Sequence, residues 1–92
     1  MRAHEDIRTV TVGLVAAIAE TEVRSVRPSQ RLREDLGLDS LQSLELLSSI
    51  GEALRIDLDI EEAMSIRTVE DACAFVVRQY EEQRSDGRHR AE

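Results

Sequence analysis

The stretch Asp35-Leu36-Gly37-Leu38-Asp39-Ser40-Leu41 constrains this chain more than any other. A loop with a glycine turn gives way, at Ser40, to a long segment with helical apolar spacing. The chain before it reads as one amphipathic helix and a long loop. The chain after it reads as helices. Serine is a preferred N-cap residue, because its hydroxyl accepts a bond from an orphan N–H of the first turn. Taken alone, Ser40 therefore reads as the cap of the second helix.

The flanking segments follow from spacing. Residues 5–19 form helix one, with Ile7, Val10, Leu14 and Ile18 as its core stripe. Val12 and Val15 fall off that stripe and broaden the buried face. Glu5 and Asp6 suit the positive end of the helix dipole. Residues 20–39 form a long loop, since Pro28 with Ser29 breaks any helix there. Leu32, Leu36 and Leu38 should tuck it over the bundle. A loop of this length usually has a task, here to cross the bundle and deliver Ser40 to its rim.

Helix two runs from residue 40 to about 55 and carries two apolar sides. Leu46, Leu47, Ile50 and Leu54 make a core stripe. Leu41 and Leu44 lie elsewhere and should stay partly exposed beside Ser40. Residues 56–59 turn the chain and residues 60–65 form a short third helix. Thr68 caps helix four, with Asp71 completing a variant capping box. Val69, Ala72, Cys73, Val76 and Tyr80 form its core stripe. Residues 84–92 offer a single Ala as apolar anchor and are expected to be a disordered tail, which leaves residues 1–83 as the domain. The fold class is all-α: a four-helix bundle with three longer helices, a short third one, and a long loop between helices one and two.

Composition supports this. Ninety-two residues make one small domain. Phe75 and Tyr80 are its only aromatics, so Leu, Ile, Val and Ala must fill the core. Residues 34–71 carry eleven acids against Arg55 and Arg67, whereas residues 1–33 carry six Arg against four acids. The acidic field is centred on Ser40. It disfavours nucleic acid and anionic membrane and favours basic protein surfaces. One cysteine excludes an internal disulfide and a cysteine-based zinc site, and Cys73 should be a small buried hydrophobe. No secretory signal or membrane span is visible, so cytoplasmic residence is the default. His4 and His89 sit near the ends, and no base–nucleophile pair can be drawn. Adjacent acids such as Glu61-Glu62 do not converge on a helix, and no calcium loop has the required spacing. An enzyme or a metal centre is not expected.

The run Asp35 to Leu41, followed by Glu45-Leu46, resembles the attachment motif of acyl carrier proteins, in which the serine of Asp-Ser-Leu carries 4′-phosphopantetheine. Leu58-Asp59-Ile60-Glu61-Glu62-Ala63 and Ile66-Arg67-Thr68-Val69-Glu70 resemble that family's third helix and the start of its fourth. The match runs from about Leu32 to Val77 without a gap. The resemblance implies a freestanding carrier, monomeric, that holds acyl groups as thioesters. It implies Ser40 as the attachment point, loaded from coenzyme A by a phosphopantetheinyl transferase that reads Asp39 beside it. It implies helix two as a recognition helix, with Leu41, Leu44 and Glu45 as docking residues and Glu52, Glu61 and Glu62 extending the acidic surface. Met64 stands where an acid is frequent and joins Leu41 and Leu44 in an expected apolar patch.

Gln42, Ser48 and Gly51 depart from the acids usual along this helix in fatty-acid carriers. They point to a specialised polyketide-type pathway, with acyltransferase, ketosynthase or acyl or adenylating ligase partners bearing basic docking surfaces. A peptidyl or aminoacyl carrier is the alternative, although Gly37-Leu38 replaces its more usual Gly-Gly. An unmodified helical adaptor is the alternative of a different class.

Overall fold

Helix α1 (Arg2–Ala19) turns Ile7, Thr11 and Val15 inward at four-residue spacing. The structure is a computed structural model that describes the backbone of residues 2–90 and the side chains of residues 5–83. The buried line is shifted from the predicted stripe. Val10, Leu14 and Ile18 flank it half-buried, while Val15 is wholly buried. Thr11 explains the shift. Its hydroxyl donates to the Ile7 carbonyl at 2.8 Å, so the group is satisfied inside its own helix and a polar residue occupies a core position without penalty.

The long loop crosses the bundle as expected, broken by a single 3₁₀ turn at Val23–Ser25. Leu32 and Leu38 are buried and Leu36 is half-buried. Its backbone fastens to the start of α4 (Val69–Arg90). The N–H groups of Val69 and Glu70 donate to the carbonyls of Gln30 at 3.0 Å and Pro28 at 2.9 Å, and Leu32 N–H donates to Arg67 O at 2.8 Å. First-turn N–H groups have no partner within a helix, so loop and helix complete each other. The Thr68–Asp71 box forms as predicted. Asp71 N–H donates to Thr68 Oγ1 at 3.0 Å, and Thr68 N–H donates to Asp71 Oδ2 at 3.1 Å. Arg31 and Thr68 make one isolated β-bridge, and the described residues contain no strand.

Helix α2 (Ser40–Leu54) buries Leu46 and Ile50, with Leu47 and Leu54 packed at the edge of the core. Helix α3 (Ile60–Ala63) is shorter than predicted and buries only Ala63. Polar bonds from α4 make up for that. Gln83 accepts from Asp57 N–H at 2.8 Å and donates to Asp57 O at 2.5 Å. One turn earlier, Gln79 accepts from Asp59 N–H at 3.4 Å and donates to Glu62 Oε1 at 3.1 Å. Val69, Ala72, Cys73, Phe75 and Val76 give α4 its buried face. Burial pushes the Cys73 thiol up, which keeps it neutral and unreactive. Helix α1 packs against both α2 and α4, and Arg8 Nη2 meets Glu70 Oε1 at 2.6 Å across the second of these contacts.

The sequence reading ends ordered structure at Gln83, whereas the α4 backbone stays helical to Arg90. No proline intervenes, and one Gly inside a helix costs only about 1 kcal/mol, so nothing stops the backbone ladder. Side chains from residue 84 onward, and residues 91 and 92 altogether, lie outside the described residues. Truncation after Gln83 preserves the Gln79 and Gln83 bonds. It is expected to leave the melting temperature nearly unchanged; a marked fall would show that residues 84–92 dock on the bundle.

Candidate functional site

The route to Ser40 starts at a turn that only glycine takes without strain. Gly37 has φ of +74°, and a Cβ there would meet nothing within 4 Å, so the demand is torsional. Gly37 N–H donates to Arg33 O at 3.0 Å and Leu38 N–H donates to Leu32 O at 2.9 Å. The turn drops Leu38 into the core and leaves Asp39 and Ser40 outside. Asp35 clamps it. Its Oδ2 accepts from Arg31 N–H at 2.7 Å and Nε at 3.3 Å, and its Oδ1 accepts from Nη2 at 3.2 Å. These bonds hold the Asp35 carboxyl below the usual carboxylate range, the guanidinium first and the Arg31 backbone N–H second.

The cap of α2 is Asp39, not Ser40. Asp39 Oδ1 accepts from Gln42 N–H at 2.8 Å, and Gln42 Oε1 accepts from Asp39 N–H at 3.2 Å, a reciprocal box. Asp39 takes the extended backbone a cap needs, with φ of −88° and ψ of −175°. A carboxylate also suits the helix start better than a hydroxyl. Ser40 thus becomes the first helical residue. It is exposed, and its Oγ makes no hydrogen bond among the described residues. An uncommitted hydroxyl at the N-terminus of a fifteen-residue helix fits a phosphodiester: free N–H groups and the dipole favour the phosphate charge.

Large apolar side chains on α2, on α3 and at the C-cap of α3 are exposed. Leu41 is 71% exposed, Leu44 49%, Ile60 47% and Met64 80%. Leu41, Leu44 and Met64 match the sequence expectation. Ile60 was missed, because a residue opening a four-residue helix carries no periodicity from which to read its face. Glu45, Glu52 and Glu61 are exposed. Glu62 is exposed too, but it turns toward α4, where Arg78 Nη2 lies 3.2 Å from its Oε2 and Gln79 bonds its Oε1.

Cavities adjoin α2 on more than one side. An open groove of about 540 Å³ runs between Leu44, Ser48 and Gly51 on the helix, Arg55 at its C-cap, and Leu58 and Ile60 across from them. A smaller apolar cavity of about 50 Å³ lies among Leu46, Ile50, Ala63, Phe75 and Val76. Among the described residues no cluster of His, Cys, Asp or Glu could hold a metal, and no helix is long and apolar enough to cross a membrane.

Asp35, Glu70 and Asp71 all titrate below their usual range. The causes are the Arg31 bonds for the first, Arg8 for the second, and the backbone N–H groups of Thr68 and Arg67 for the third. A folded-state pKa lowered below the unfolded one adds stability above the unfolded value, and that stability is lost as pH falls through the folded value. The melting temperature is therefore expected to hold from neutral pH to about 5 and to fall below about 4. Asp71→Asn should flatten that acid slope; an unchanged slope would remove Asp71 from the cause.

The phosphopantetheine attachment site family matches residues 11–76. A Helicobacter hepaticus acyl carrier protein is 33% identical over 76 residues, covering 83% of this chain and 95% of that protein. One from Desulforapulum autotrophicum is 40% identical over 55 residues, covering 60% of this chain and 71% of that protein. A solved Mycobacterium tuberculosis structure described as an acyl carrier protein superposes with a TM-score of 0.71 at 27% identity, covering 77% of this chain and 95% of its own. The helices, the exposed serine and these matches converge: the chain belongs to the acyl carrier protein family, a carrier of covalently attached phosphopantetheine and not an enzyme.

Proposed function

We propose that Ser40 carries the phosphopantetheine arm. The observation behind this is the division of labour at the start of α2. Asp39 and Gln42 satisfy the cap, and the exposed Ser40 Oγ is left free to react. In the transfer, Ser40 Oγ loses its proton and forms a P–O bond as the pyrophosphate of coenzyme A breaks and adenosine bisphosphate departs. The arm supplies a thiol on which an acyl group is held as a thioester. The chain itself contributes the tether point and the surface that partners read.

That surface is the patch of Leu41, Leu44, Ile60 and Met64, rimmed by Glu45, Glu52 and Glu61. Apolar anchors supply most of the affinity, and the acids steer and orient a basic partner. Glu62 holds α3 to α4 and contributes to the rim only secondarily. The partners are a phosphopantetheinyl transferase and the acyltransferase, ketosynthase or ligase enzymes of a specialised polyketide-type pathway in the cytoplasm, where coenzyme A is available. Gln42, Ser48, Gly51 and Met64, which stand where acids are usual in fatty-acid carriers, support that pathway over housekeeping fatty-acid synthesis.

Intact mass after incubation with coenzyme A, magnesium and a broad-specificity transferase tests the attachment. The wild type is expected to gain one phosphopantetheine, and Ser40→Ala none. No gain in the wild type, or a gain retained by Ser40→Ala, would sink the assignment.

A further inference from the structure

The segment that leads into and through α3 has little apolar purchase on the bundle. From Asp57 to Ser65, Ala63 is buried and Leu58 half-buried, and the other side chains are exposed. A single helical turn does not stand on its own bonds, because starting a helix is unfavourable. The backbone N–H groups of Asp57 and Asp59 also find no backbone partner among the described residues. Two glutamines four residues apart, on one face of α4, take that place. Gln83 accepts from Asp57 N–H and donates to Asp57 O, so one amide satisfies both backbone groups of one residue. Gln79, only 6% exposed, accepts from Asp59 N–H and donates to Glu62 Oε1. A side-chain amide can do this because it carries a donor and an acceptor at one end.

We infer that Gln79 and Gln83 are positioning residues for the α3 half of the docking patch. The inference rests on the reading of Leu41, Leu44, Ile60 and Met64 as the surface that partners contact. Leu41 and Leu44 stand on α2, which Leu46 and Ile50 seat in the core. Ile60 and Met64 stand at the start and the C-cap of α3, and the two amides set their place relative to α2. The kind of bond matters here. Apolar contact is non-directional, so Ala63 alone would let the segment slide or tilt. Hydrogen bonds prefer a set length and angle, and those at Asp57, Asp59 and Glu62 fix the segment at three points along its length. The Arg78–Glu62 pair adds little, since both side chains are about half exposed. A segment held in this way opens without the bundle unfolding. Loss of the amides therefore disturbs the patch before it disturbs the fold.

Gln79→Met and Gln83→Met, singly and together in the full chain, test this. Methionine keeps the length of the side chain and removes the amide. Hydrogen exchange at the Asp57 and Asp59 amides is read first. It is expected to quicken by about tenfold, the order set by losing one or two hydrogen bonds, while Ile50 and Val76 in the core keep their protection. Transfer of the arm from coenzyme A by a broad-specificity transferase is read second. KM for the carrier should rise severalfold with kcat retained, because Ser40 and its cap are untouched. Unchanged exchange at both amides, or equal acceleration at Ile50 and Val76, would overturn the local clamp. Should Gln79→Met unfold the chain, Gln83→Met, at a half-buried position, carries the same test. Faster exchange with an unchanged KM would overturn the positioning role where Leu44→Arg raises KM in the same assay. Were Leu44→Arg to leave KM unchanged as well, the docking reading itself would fall, and this inference with it.

Discussion

Leu38→Ala is expected to lower the melting temperature by roughly 10 °C or more. Leu38 is 1% exposed and belongs to the main apolar cluster. It is also the last residue before the capping Asp39. Truncating a buried Leu costs about 2–5 kcal/mol, a large share of the roughly 5–15 kcal/mol that holds a small domain together. For a domain of this size, 1 kcal/mol moves the midpoint by about 4–8 °C. Leu36→Ala, two residues earlier and half-buried, should lose clearly less. Holo conversion near the midpoint should fall with the folded fraction, because Ser40 is presented only when Leu38 is seated. Equal melting of the two variants would mean that the turn at Gly37, and not burial, positions the loop.

Leu44→Arg and Met64→Arg should do the reverse. Both residues are exposed, so the fold should melt within a few degrees of the wild type. Acyl transfer with a cognate partner should nevertheless fall. An anchor worth about 2 kcal/mol gives roughly thirty-fold in kcat/KM. Glu45→Gln should instead slow association and weaken its salt dependence. Melting far below the wild type would put both residues in the core. Unchanged transfer would move recognition to the loop before Ser40.

The elements with long apolar periodicity were legible in the sequence. Helices α1, α2 and α4, the crossing loop with its three leucines, and the Thr68–Asp71 box all follow from local spacing and turn chemistry. Legibility failed where a polar group changed the outcome. In α1, Thr11 enters the core because its own helix satisfies the hydroxyl, and that moves the buried line by a residue. At α2, Asp39 and Ser40 are both competent caps; Gln42 decides between them, since it stands three residues after Asp39 and completes its box. The Gln79 and Gln83 ladder was invisible because its partners lie 20 and 26 residues away in sequence. Ile60 escaped notice because α3 is too short to show a face.

The cap at Asp39 has a thermodynamic corollary. The bonds that start α2 involve Asp39 and Gln42 and spare Ser40, so esterifying the serine breaks none of them. Linkage requires a ligand to interact differently with two states before it can shift their balance. Through the cap bonds no such difference arises; what loading adds at the helix start is the phosphate's attraction to the positive end of α2. Loading is therefore expected to hold the first turn of α2 more firmly without rearranging its cap.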